Sequence, residues 1–111
     1  MEPALRVALE AVHASPMRAV VHVTGGAAQS LGWVMAVPGA SRTLLDARVP
    51  YARESARETL GKTEGDDVDS YCSREVAQAL ARAAYARAVR HGSSRAASAS
   101  DARGTTGVGA T

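Results

Sequence analysis

The side chains and turns most able to do chemistry in this sequence fall between residues 20 and 51. A β-branched run from Val20 to Val23 breaks at Thr24-Gly25-Gly26, and an apolar helical stretch follows at once. Such a turn leaves backbone N–H groups free at a helix start, where they can hold a phosphate or an oxyanion. His22 stands just before the turn. It reads first as a packed strand residue and second as a nucleophile or base, with no acid nearby in sequence to orient it. A second turn, Pro38-Gly39-Ala40-Ser41, is followed by Arg42, which could meet a phosphate or be a solvated charge. Tyr51 closes the next strand-like run, as a site residue or as a half-buried aromatic.

Outside that stretch the chemical signals are thinner. Cys72 precedes a helix start, where a thiolate is favoured, but it has no histidine partner in sequence and reads as inert. Glu64, Asp66, Asp67 and Asp69 crowd one segment in a spacing that matches no calcium loop. No His/Cys/Asp spacing resembles a zinc site, and His13 and His91 read as helix-surface residues. Neither a metal nor a cofactor is expected.

The elements that must position these residues follow from periodicity and punctuation. Pro3 suits a first helical turn, and Leu5, Ala8, Leu9 and Val12 recur on one face, predicting a helix over 3–14 that Ser15-Pro16 ends. Ala19–Val23 is a strand whose near-continuous apolar character predicts burial on both faces. A helix is predicted over 27–36, with Gly32 marking close packing on a sheet and Trp33 in the core. A strand over 43–49 and a helix over 51–60 follow, the helix ended by Gly61. Residues 62–70 form an acidic, solvated loop. Ser73 caps the longest helix, predicted over 73–91 with Val76, Leu80, Ala83, Ala84 and Val89 as its buried stripe and Gly92 as its stop.

At 111 residues the chain is one domain, divided here into residues 1–91 as an α/β unit, 92–104 as a flexible Ser/Ala/Gly/Arg loop, and 105–111 as the start of a further strand. Phe is absent and the aromatics are Trp33, Tyr51, Tyr71 and Tyr85, so the core rests on Val, Leu and Ala, which bury less apolar area per residue. The net charge of +2 is spread over interspersed pairs such as Arg53-Glu54 and Arg57-Glu58 rather than in a basic block, which argues against nucleic acid as a partner. No apolar run reaches the length of a membrane span, and one cysteine suits a reducing compartment, so a cytoplasmic protein with no membrane partner is expected.

Taken in order, Thr24-Gly25-Gly26, Pro38-Gly39-Ala40-Ser41, Tyr51 with Glu54 and Leu60-Gly61 after it, and Ser73 opening a long Ala-rich helix resemble the CinA C-terminal domain. The resemblance covers residues 4–91 and the closing Gly-Val-Gly-Ala-Thr. The best-known members of that family are nicotinamide-nucleotide amidases, which release ammonia from nicotinamide mononucleotide. Val23–Gly26, Gly32-Trp33, Val37–Ser41 and Val49–Tyr51 are similar to a eukaryotic branch found N-terminal to nucleotidyltransferase-like domains. The resemblance implies a three-layer α/β/α domain with a mixed sheet, incomplete at its C-terminus because further strands are expected after Thr111.

As the family implies it, the amidase uses a serine in a Glu-Ser-Cys-Thr-Gly-Gly turn with a tyrosine and a lysine from Tyr-Ser-Asn-Glu-x-Lys. Here Thr24, Gly25, Gly26, Tyr51 and Glu54 match, while the serine position is His22, the glutamate before it Val21, and the lysine position Ala56. Arg57 beside it cannot act as a base, because a guanidinium does not deprotonate near neutral pH. The expectation is a non-catalytic or altered module that binds a nucleotide through Thr24, Gly25, Gly26, Arg42 and Tyr51. The alternatives are an amidohydrolase that uses His22 and Tyr51 instead, or an oligomerisation or scaffold module, with a second copy of the chain as partner.

Overall fold

The computed structural model describes residues 1–63, 70–96 and 105–110. Helix and strand alternate: α1 (Pro3–Ala14), β1 (Arg18–Val23), a 3₁₀ turn (Gly26–Ala28) running into α2 (Gln29–Ala36), α3 (Ala40–Thr43), β2 (Leu44–Arg48), α4 (Arg53–Leu60), α5 (Arg74–Ala96) and β3 (Thr105–Ala110). The strands form one sheet in the order β2–β1–β3, and both pairings are parallel. The fold is therefore α/β. Where the family resemblance implies a mixed sheet, the described strands all run one way, because helical segments intervene before each return to the sheet.

β1 is the central strand, and its apolar run is the reason. Val20 and Val23 are fully buried, as expected for a strand enclosed on both faces. Its register sets Val20 against Asp46, Val21 against Ala47 and His22 against Arg48, with an irregularity between Ala19 and Val20. α5 covers one face of the sheet: Val20 packs with Ala84 and Ala88, and Leu45 joins them. The helix buries Val76, Leu80, Ala84 and Ala88, one residue every fourth position, so Ala88 takes the place expected for Val89.

α5 also passes through Gly92, its expected stop, and runs to Ala96, which replaces the first residues of the expected 92–104 loop. An interior glycine costs a helix about 1 kcal/mol, less than tertiary packing supplies to a helix of this length. The rest of that loop, and residues 64–69 of the acidic segment, lie outside the described residues.

α1 departs from its expected role. Its stripe of Leu5, Leu9 and Val12 is only half-buried, and the helix is fastened at its last turn by His13. That histidine is buried rather than on the surface: Nδ1 lies 2.8 Å from Thr43 Oγ1 and Nε2 lies 3.0 Å from the Val34 carbonyl. In the neutral ring Nε2 must donate, since a carbonyl only accepts, and Nδ1 accepts from the Thr43 hydroxyl. One side chain thereby ties α1 to α2 and α3.

The Pro38-Gly39 turn packs against the same histidine. Gly39 has φ +98°, and a Cβ there would sit 2.7 Å from an Arg42 nitrogen and 3.2 Å from His13 Cβ, so the turn demands glycine. Gly32 is different: a Cβ would meet nothing within 4 Å, so it marks no close approach to the sheet. Trp33, expected in the core, is 38% exposed.

Candidate functional site

The carboxyl ends of β1 and β2 open onto a cleft of ≈ 420 Å³ lined by Thr24, Gly25, Gly26, Pro50, Tyr51, Arg53, Tyr71 and Cys72. Parallel α/β sheets bind ligands at this end of their strands, where the loops are free to diversify. The volume is that of a small-molecule pocket.

Each part of the wall follows from its local sequence. After Val23, the Thr-Gly-Gly turn passes into the 3₁₀ segment, which closes with a hydrogen bond of 3.1 Å from the Ala28 N–H to the Gly25 carbonyl. The first amides of such a segment have no carbonyl behind them to accept, and no side chain caps this one. A Cβ on Gly26 would meet nothing within 4 Å, so its bareness answers no packing need and leaves the cleft wall open. Opposite, the Tyr51 N–H donates to the Val49 carbonyl at 2.8 Å, a tight turn that buries Pro50 and leaves the Tyr51 ring 80% exposed.

Arg53 begins α4, whose N-cap Ala52 offers no side-chain cap. Its guanidinium lies over the Tyr71 ring, 5.9 Å from the centroid. Tyr71 and Cys72 are held just ahead of α5 by Ser70, whose Oγ accepts from the Cys72 N–H at 3.2 Å. Ser73 then caps the helix as its sequence predicts, accepting from the Val76 N–H at 3.2 Å.

Thr24, Gly25, Gly26 and Tyr51 thus meet at one cleft, while Arg42 and His22 are not among its lining residues. Arg42 turns back toward α1, donating from Nε to the His13 carbonyl at 3.3 Å, because the Pro-Gly turn aims it across Gly39. His22 shares the face of Val20, two residues away, and that face is covered by α5. It is 2% exposed, and neither ring nitrogen has a hydrogen-bond partner among the described residues. Burial pushes its pKa down, Arg48 and Arg87 push the same way, and Asp46 opposes them only in part. A neutral, enclosed imidazole under a helix is placed for packing rather than for attack on a ligand in the cleft. Ala56, at the position the resemblance gives to a lysine, is buried on α4 and does not line the cleft.

Four lining residues fall outside the set expected to bind a ligand: Pro50, Arg53, Tyr71 and Cys72. Arg53 is hidden among alternating charges, and its signal is its place two residues beyond Tyr51. Tyr71 and Cys72 are distant in sequence and reach the cleft only through the packing of α5. Arg53 is the one charged residue among the described lining residues. The cleft therefore offers amide donors, two aromatic faces and a cation, and no acid–base pair among those residues.

Fold and cleft together define an α/β protein with a ligand-sized cleft at the carboxyl end of a parallel sheet. No family model, curated relative or solved structure matches this chain. Among the described residues no helix is long and apolar enough to cross a membrane, and no group of His, Cys, Asp and Glu is placed to hold a metal ion.

Proposed function

We propose that the chain is a CinA C-terminal-like domain, of the three-layer α/β/α kind, that binds a nucleotide such as nicotinamide mononucleotide without hydrolysing it. One observation carries the reading. Of the residues expected to bind a ligand, Thr24, Gly25, Gly26 and Tyr51 line a single cleft and Arg42 does not, whereas His22 and Ala56, at the positions of the family's nucleophile and base, are buried away from it. The cleft keeps what holds a substrate and lacks what cleaves an amide.

Titration calorimetry with nicotinamide mononucleotide, run beside an ammonia-release assay, tests this. Saturable heat with no ammonia above buffer is expected. No heat and no thermal shift on folded protein would overturn the binding reading, and ammonia release would overturn the non-catalytic part of it.

A second reading, self-assembly, is favoured by the apolar side chains exposed on and beside α1 and α2. Val7 is 64% exposed, Met35 58% and Met17 43%. Light scattering across a concentration series distinguishes it, since a monomer at every concentration would exclude assembly.

A further inference from the structure

We propose that a second groove, between the end of β2 and α4, binds a free α-amino acid with a short aliphatic side chain, its carboxylate on Arg48 and its ammonium on Glu58. The groove has a volume of ≈ 300 Å³ and is lined by Arg48, Val49, Pro50, Ser55, Glu58 and Thr59. It is separate from the nucleotide-sized cleft, with which it shares only Pro50.

The groove carries opposite charges that do not meet. Arg48 ends β2, while Ser55, Glu58 and Thr59 stand three and four residues apart on α4 and so share one of its faces. Among the described residues no ion pair joins Arg48 to Glu58, and the Glu58 carboxylate has no side-chain partner. An arginine and a glutamate that line one groove without closing on each other leave room for a molecule that carries both charges.

The charge balance at each end points the same way. Arg48 approaches Asp46 only at 3.7 Å, beyond hydrogen-bond length, because Arg87 holds the same carboxylate oxygen. Two guanidiniums against one carboxylate leave a positive excess at the end of β2. A second carboxylate relieves that excess, and a guanidinium fork can bind it through two parallel hydrogen bonds. Glu58 lies in the last turn of α4, where the negative end of the helix dipole disfavours an acid and favours a cation. An ammonium bound there answers both the helix end and the carboxylate. The Ser55 and Thr59 hydroxyls beside it can donate or accept. Val49, 48% exposed, and the buried Pro50 supply the apolar part of the groove, whose volume suits a small ligand.

The test is calorimetry on the full chain with L-valine, L-valinamide and N-acetyl-L-valine, the last two each lacking one of the charges. Both charged side chains are solvated, so a dissociation constant on the order of 1 mM is expected for valine. Each capped form is expected to bind at least about tenfold more weakly. Glu58→Gln is expected to equalise valine and N-acetylvaline while keeping the preference for valine over valinamide, and Arg48→Gln is expected to do the reverse. Melting by circular dichroism controls for folding, since Arg48 also faces Asp46. Glu58 is exposed, so Glu58→Gln decides the matter alone where Arg48→Gln does not fold. No saturable heat with valine on folded protein, capped forms that bind as well as valine, or variants that keep both preferences would overturn the proposal. Glu58→Gln is expected to match wild type toward nicotinamide mononucleotide, because Glu58 does not line the larger cleft, so the two sites stand or fall separately.

Discussion

Asp46 on β2 and Arg87 on α5 form an ion pair that joins the sheet to the helix covering it. Arg48, two residues along the same strand, approaches the same carboxylate oxygen at 3.7 Å. Burial alone would push the Asp46 carboxyl up, but the hydrogen bond and charge of Arg87, with smaller help from the Ala47 amide and Arg48, outweigh it and hold the group below its ordinary value. The fold therefore favours the ionised form. Asp46→Asn keeps the shape and removes the charge. Since both partners are about a quarter exposed, the expected loss is about 1–2 kcal/mol at neutral pH, below the full range for a charge-assisted hydrogen bond. The pH dependence carries a definite sign. A depressed carboxyl contributes stability that is fully present above the unfolded value of 3.8 and lost as pH falls through the folded value. Urea melts of wild type and Asp46→Asn are expected to differ near neutrality and to converge in acid; a constant gap would contradict the assignment.

His22 gives a second, separate acid-sensitive step. Its imidazole is kept neutral chiefly by burial, then by Arg48 and Arg87. The unfolded chain takes up a proton below the ordinary value of 6.5 while the fold does not, so stability falls as pH drops from there toward the lowered folded value. Above 6.5 this group contributes no slope. His22→Leu is expected to flatten that window. Because two unpartnered nitrogens leave the core with it, the change is expected to be neutral or stabilising by about 1 kcal/mol. Thermal melts at half-unit pH steps between 4 and 8 provide the measurement. A variant that keeps the wild-type slope would show that another group titrates there.

The long elements were legible in the sequence, and so was half of the site. β1 announced itself by its β-branched run, α5 by its cap at Ser73 and the Val76, Leu80 and Ala84 part of its stripe, and α4 by Gly61, which takes φ +70° and whose N–H donates to the Arg57 and Glu58 carbonyls. The Thr-Gly-Gly turn and Tyr51 are local signals at strand ends, so sequence position alone led to the cleft. What stayed hidden depends on which way a side chain faces once distant elements meet. His13 looks like any polar residue at a helix end until Val34 and Thr43 close around it. Arg42 is adjacent to a turn that aims it at α1 instead of the cleft, and Tyr71 reaches the site only because α5 starts beside α4's first turn. His22 fell on the covered face because strand alternation fixes its side with Val20, a parity that the glycine turn after it does not reveal.

α1 hangs largely on one residue. With Leu5, Leu9 and Val12 only half-buried, the two hydrogen bonds of His13 are its most specific attachment. His13→Ala removes both and leaves a cavity, for an expected loss of about 2–4 kcal/mol. Hydrogen exchange resolves the effect in space. α1 amides are expected to lose protection well before those of α5, whose contacts to β1 do not involve His13. Thr43→Val, which deletes one hydrogen bond at nearly constant volume, is expected to show the same pattern at a smaller amplitude. Uniform loss of protection across α1 and α5 would mean that α1 is integral to the cooperative unit.

Installing the reactive residue types that the CinA-like resemblance implies is expected to fail for geometric reasons. In His22→Ser the new hydroxyl would lie on the α5 face with Val20, not on the cleft wall. In Ala56→Lys an ammonium would have to enter a position that is 2% exposed, which costs several kcal/mol unless the amine is neutralised or swings out. The double variant is therefore expected to be less stable than wild type and to release no ammonia from nicotinamide mononucleotide. His22→Ser alone separates the two effects. A small polar residue there trims volume without burying a charge, so the protein is expected to stay folded and its nucleotide affinity to match wild type, since position 22 does not line the cleft. An ammonia assay on the folded single and double variants decides the matter. Turnover above the wild-type background would show that positions 22 and 56 reach the bound substrate after all, and the cleft would then have to be read as an amidase site stripped of two side chains instead of one whose geometry excludes the reaction.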